Sequence, residues 1–102
     1  MSVLTFTNEN FQQDVLNRPT KVLVDFFATW CGPCKILAGA VERVAEEHPE
    51  SIIGKVDIDK NPELAQKYNV MSVPTLILFD RGVEIKRSSG AIPKEAVAEM
   101  LL

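Results

Sequence analysis

A chain of 102 residues with 46% hydrophobic and 25% charged side chains has the size and make-up of a single ordinary globular domain, here residues 1–102. Its net charge of −3 comes without any Lys/Arg-rich block, which removes the electrostatic footprint of a nucleic-acid binder. No apolar run approaches the roughly 18 residues of a membrane span, and the Met1–Thr5 stretch lacks the basic-then-apolar pattern of a targeting segment.

Val3 to Phe6 is expected as a short strand. Asn8 to Asn17 reads as a helix, capped by Thr7 or Asn8, with Phe11, Val15 and Leu16 on one face. Lys21 to Phe27 is almost continuously apolar, the pattern of a strand covered on both faces. Cys34 to His48 predicts the longest helix: Ile36, Leu37, Ala40, Val41, Val44 and Ala45 fall on one face, and Lys35, Glu42, Arg43, Glu46 and Glu47 form a solvated one. Ser51 to Asp57 predicts another inner strand. Asn61-Pro62 then supplies a capping side chain and a first-turn proline for a short helix to Tyr68. Thr75–Phe79 and Val83–Arg87 predict two strands around Asp80-Arg81-Gly82, with Gly82 taking the left-handed position of a tight hairpin. Pro93 opens a last helix that turns Val97, Met100 and Leu101 inward. The order βαβαβα then ββα defines an α/β chain with a parallel portion and a terminal antiparallel hairpin.

The only two cysteines stand in Trp30-Cys31-Gly32-Pro33-Cys34. A bridge across so short a loop stabilises little, which argues against a structural staple. A closed zinc site needs four ligands, and the chain offers no second C-x-x-C and a single histidine, His48. Redox chemistry is left, and the pair sits where a buried strand gives way to a long helix. Unpaired N–H groups and the helix dipole lower the pKa of a thiol held there. On a helix, spacing i, i+3 turns both sulfurs to one side. Cys31, nearer the helix start, is expected to be exposed and to attack a disulfide of another protein; Cys34, one turn in, then attacks Cys31 and releases the reduced product. The bland reading of Cys34 is a buried small hydrophobe. In the absence of a targeting segment the chain is expected in the cytoplasm, where thiols are kept reduced.

Asp25 interrupts an apolar strand, so its carboxylate must be paired, protonated or reached by solvent. Desolvation raises such a pKa, which suits a proton acceptor for Cys34; the bland reading is a strand-edge carboxylate capping a backbone group. Lys55 could approach it from a neighbouring strand or equally snorkel to water.

These residues resemble the thioredoxin family. The match runs through Val24-Asp25-Phe26-Phe27-Ala28, Trp30-Cys31-Gly32-Pro33-Cys34-Lys35, Lys55-Val56-Asp57, Asn61-Pro62, Val73-Pro74-Thr75, Gly82 and Gly90-Ala91-Ile92, essentially the whole chain in order. The resemblance implies a thioredoxin fold: a central five-stranded mixed sheet flanked by four helices, with a cis Val73-Pro74 peptide against the dithiol. It implies that clients add an extended segment at the Val73 backbone, beside Trp30, Gly32, Pro33, Pro74, Gly90, Ala91 and Ile92; for Trp30 and Ile92 the bland reading is core packing. It also implies a monomeric protein-disulfide reductase with no bound cofactor and no metal. Its partners would be disulfide-containing client proteins and a thioredoxin reductase, either an NADPH-dependent flavoprotein or a ferredoxin-linked enzyme. Phe27 stands where the family commonly has Trp. Gly39 replaces its usual helix proline, which predicts a straighter or more variable helix. An oxidase or isomerase on the same fold would need an oxidising compartment, and a binding module would use the apolar patch with the redox chemistry incidental.

Overall fold

The structure, a computed structural model, describes residues 3–102. Met1 and Ser2, part of the stretch read for a targeting signal, lie outside the described residues. The strands are β1 (Leu4–Thr5), β2 (Lys21–Phe27), β3 (Ile52–Asp57), β4 (Thr75–Asp80) and β5 (Val83–Ser89). The α-helices are α1 (Gly32–Glu47), α2 (Pro62–Lys67) and α3 (Lys94–Met100), and a π-helical turn spans Gln12–Leu16. The strands form one mixed sheet in the order β1-β3-β2-β4-β5, parallel from β1 to β2 and antiparallel from β2 to β5.

Alternation along the inner strands builds two cores. Val22, Val24 and Phe26 of β2 join Phe6, Phe11, Val15, Ile77 and Phe79 on one face. Leu23 joins Ile53, Leu76 and Leu78 beneath Leu37, Val41 and Val44 of α1 and Val97 of α3 on the other. Asp25 is two residues beyond Leu23, so it shares the face that α1 covers. The apolar run of β2 thus records a strand with helices on both sides.

The first helix differs from expectation. Thr7 and Asn10 cap each other, Thr7 N–H donating to Asn10 Oδ1 at 2.8 Å and Asn10 N–H to Thr7 Oγ1 at 3.3 Å. The turn that follows is π-helical, Asn17 N–H reaching back to Gln12 O at 2.9 Å. Phe11 and Val15 are buried as expected, and an i, i+4 apolar pair reads the same whether or not one residue is inserted in the turn. The face assigned to α1 also needs correction: Ile36 is 72% exposed, while Leu37, Val41, Val44 and Ala45 are buried. The helix starts two residues before the expected Cys34, and it runs unbroken through the exposed Gly39.

Asn61 does not cap α2. Its Oδ1 accepts from Asn8 N–H at 2.9 Å and its Nδ2 donates to Asp57 O at 3.1 Å, so it ties the N-terminal turn to the end of β3. The β4–β5 hairpin has a two-residue loop, with Asp80 paired to Val83 and both Arg81 (φ 52°) and Gly82 (φ 84°) left-handed. A Cβ on Gly82 would also fall 2.6 Å from Leu16 O.

Candidate active site

β2 ends at Phe27, and the chain turns through Ala28–Trp30 into α1. Cys31 is the N-cap: its backbone is extended (φ −97°, ψ 115°) and its sulfur accepts the N–H of Cys34 at 3.2 Å. Sulfur is a weak acceptor and cysteine is outside the usual capping set, so the early helix start carried no cap signal in the sequence. Gly32 and Pro33 fill the first turn, where a missing N–H costs nothing. Cys31 and Cys34 form a disulfide with their Cα atoms 5.3 Å apart. Among the described residues no group of three or more His, Cys, Asp or Glu is placed to hold a metal ion.

The expected exposure of Cys31 is corrected: it is 6% exposed against 3% for Cys34. The cause lies 42 residues away, where Val73 O approaches Cys31 Sγ at 3.7 Å. Phe27, Ile58 and Val73, all half-buried, pack around the two sulfurs and Ala28. Cys34 also lines an open hollow of about 260 Å³ with Phe27, Ala28, Thr29, Lys35 and Ala38, whose walls are mostly apolar.

Asp25 is 3% exposed, and its Oδ1 has no hydrogen-bond partner among the described residues. Burial pushes its pKa from 3.8 up to about 7, and the positive charge of Lys55 pulls it partly back. Lys55 is the register partner of Asp25 on β3, but no ion pair among the described residues joins them. Its exposed ammonium lies 5.7 Å from the centroid of the Phe27 ring, the ring that stands where the family commonly has Trp. Lys55 thus stands opposite Asp25 in the sheet and is felt there as a charge, with its ammonium over the Phe27 ring.

The expected docking residues divide. Trp30 is 69% exposed and so is no core residue; Gly32, Pro33 and Ala91 are also exposed. Val73, Gly90 and Ile92 are half-buried, Ile92 against the α1–α3 core. Pro74 is buried. The Val73-Pro74 peptide is cis, as the resemblance implies, and Gly90 N–H donates to Pro74 O at 2.8 Å, which sets Gly90–Ile92 beside it. Two further residues had not been singled out. Asp59 accepts from the Trp30 indole, and Met71, 86% exposed, precedes Val73 by two positions. An acidic residue in a polar turn gives no periodic signal; a lone apolar residue in the loop before Pro74 gives a faint one.

A disulfide at the start of a helix can be opened by an incoming thiolate, and the dithiol it then becomes can attack other disulfides. The thioredoxin family profile matches residues 2–102. A thioredoxin of Pyropia yezoensis is 42% identical over 102 residues, 99% of this chain and 95% of that protein. One of Mycobacterium bovis is 45% identical over 101 residues, 98% of this chain and 87% of that protein. A bifunctional thioredoxin reductase/thioredoxin of Mycobacterium leprae is 47% identical over 92 residues, 89% of this chain and 20% of that longer protein. Sheet order, the Cys31–Cys34 centre and similarity along the whole length agree, and this chain belongs to the thioredoxin family of thiol–disulfide oxidoreductases, which reduce protein disulfides.

Proposed function

We propose that the dithiol form reduces client proteins in an ordered exchange begun by Cys31. The observation that carries this order is the Cys34 N–H held 3.2 Å from Cys31 Sγ at the positive end of α1, an arrangement that favours the Cys31 thiolate. Cys31 attacks one client sulfur, the client S–S bond breaks, and the sulfur released takes up a proton. Cys34 then loses its proton to the Asp25 carboxylate and attacks Cys31 Sγ. The Cys31–Cys34 bond forms, the mixed disulfide breaks, and the second client sulfur leaves as a thiolate that takes up a proton; two electrons have passed to the client. Lys55 tunes Asp25 through its charge.

Clients add an extended segment at the Val73 backbone, whose carbonyl lies beside Cys31, flanked by Trp30, Gly32, Pro33, Gly90, Ala91 and Ile92, with buried Pro74 as the floor. Residues 1–102 act as one domain and as a monomer. A thioredoxin reductase returns the disulfide to the dithiol, a pairing supported by the Mycobacterium leprae relative that carries both in one chain. A reducing role fits a cytoplasmic setting, where the pair is kept reduced. No helix of the described residues is long and apolar enough to cross a membrane.

Two variants test the order. Cys34→Ser is expected to accumulate a covalent adduct between Cys31 and a disulfide protein, visible by mass spectrometry without reductant, while Cys31→Ser forms none and loses reductase activity. Adducts on Cys34 in the Cys31→Ser protein would reverse the assignment. Incubating the oxidised protein with an NADPH-dependent flavoprotein reductase or a ferredoxin-linked one, and counting free thiols, identifies the donor class.

A further inference from the structure

Trp30 is exposed, yet its indole is not free: Nε1–H donates to Asp59 Oδ2 at 2.8 Å. Asp59 sits in the turn after β3, and that turn is pinned. Asp57 Oδ1 accepts from the N–H groups of Asp59 at 2.9 Å and Lys60 at 3.4 Å. Ile58 N–H donates to Phe27 O at 3.0 Å, and Asn61 reaches Asp57 O through its N–H at 2.9 Å and its Nδ2 at 3.1 Å. The acceptor is therefore fixed to the ends of β2 and β3. An exposed tryptophan samples several rotamers and must lose that freedom when a partner binds; one already held loses less. Its large flat ring also makes it the kind of side chain that dominates a binding surface.

We propose that Asp59 is a positioning residue for client recognition, holding the Trp30 indole in one rotamer beside Cys31 before a client arrives. This rests on the docking reading above, and it adds a residue with no direct part in the exchange. The hydrogen bond needs only an acceptor oxygen, so asparagine should replace aspartate and alanine should not.

Trp30 is the only tryptophan in the chain, so its indole N–H resonance is unambiguous and its exchange with solvent reports this contact. In Asp59→Ala the indole proton is expected to exchange with solvent at least about tenfold faster, and the dithiol form to reduce insulin about three- to tenfold more slowly. Asp59→Asn should recover both to within about twofold. In a Trp30→Phe background, Asp59→Ala should change the insulin rate by less than about twofold, because the partner is gone. Asp59→Ser, too short to reach the indole, carries the same expectations as Asp59→Ala should that variant fold poorly. Unchanged indole exchange in Asp59→Ala, or an undiminished loss of rate in the Trp30→Phe background, overturns the proposal. Insulin reduction surviving in Cys31→Ser would instead sink the dithiol reading, and the indole measurement would still judge Asp59 by itself.

Discussion

Asp25 carries an ionisable group that the fold buries and that forms no ion pair among the described residues. The folded protein keeps its proton up to about pH 7, whereas the unfolded chain releases it near 3.8, so the fold binds more protons across that window. Stability therefore falls as pH rises from about 4 to 7, and the full cost, on the order of 4 kcal/mol, is present above pH 7. Asp25→Asn is expected to be the more stable protein at pH 8 and to lose most of that advantage at pH 4, measured by urea unfolding of the disulfide form. Equal differences at both pH values would contradict a raised Asp25 pKa. The same variant should slow release of the client from its mixed disulfide above pH 7, where the parent's carboxylate is free to accept the Cys34 proton. Asp25 was legible in the sequence because a charge stands out in an apolar run. The burial of Cys31 was not, since the group that covers it, Val73, is remote in the chain. Nor was the path of the Lys55 side chain, which depends on the Phe27 ring two positions beyond Asp25 on the same face of β2.

Two glycines in regular elements should respond in opposite directions. At Gly39 an added Cβ meets nothing within 4 Å, and the position is an exposed helix interior. Gly39→Ala is expected to stabilise the protein by about 1 kcal/mol through the lower conformational freedom of the unfolded chain. At Gly54, on β3, an added Cβ would overlap the Phe6 ring, which lies against the backbone. Gly54→Ala should cost about 1–3 kcal/mol, and part of that loss should return when Phe6 is cut to Leu in the same chain. Denaturant midpoints of the three variants and the double variant check both statements; additive losses at Gly54 and Phe6 would argue against a clash. The elements themselves were largely legible, because apolar period fixes helix or strand and which face goes inward. The misreadings come from partners and conformations that residue preferences do not signal. Asn61 gives its oxygen to Asn8 and not to its own helix, and Cys31 caps α1 with a sulfur. Likewise Arg81 enters the left-handed region because a two-residue hairpin on twisted strands demands it.

For the molecule as a whole, the disulfide is a poor staple. Its sequence separation of 3 closes so short a loop that reduction should lower stability by no more than about 2 kcal/mol. The dithiol form is expected to stay folded, with a urea midpoint only modestly below that of the disulfide form; unfolding on reduction would contradict this. That independence lets the pair cycle between states without dismantling its support. The overall architecture was readable through the resemblance, from short motifs spread across the chain, whereas strand order and the depth of each site residue are products of packing that no local pattern encodes. The sheet also has unequal rims and centre. β1 pairs with β3 over Leu4 and Thr5 alone, and β5 is exposed along most of its length, while β2 is buried from Val22 to Phe26 between β3 and β4. Backbone amides of β1 and β5 should therefore trade their protons for deuterium through partial openings, and those of β2 and β4 only when everything comes apart. The sulfurs follow directly from that slowest-exchanging strand. A molecule caught with frayed margins at β1 and β5 would still carry an assembled redox centre, which needs β2, the start of α1 and the Val73 segment that covers it.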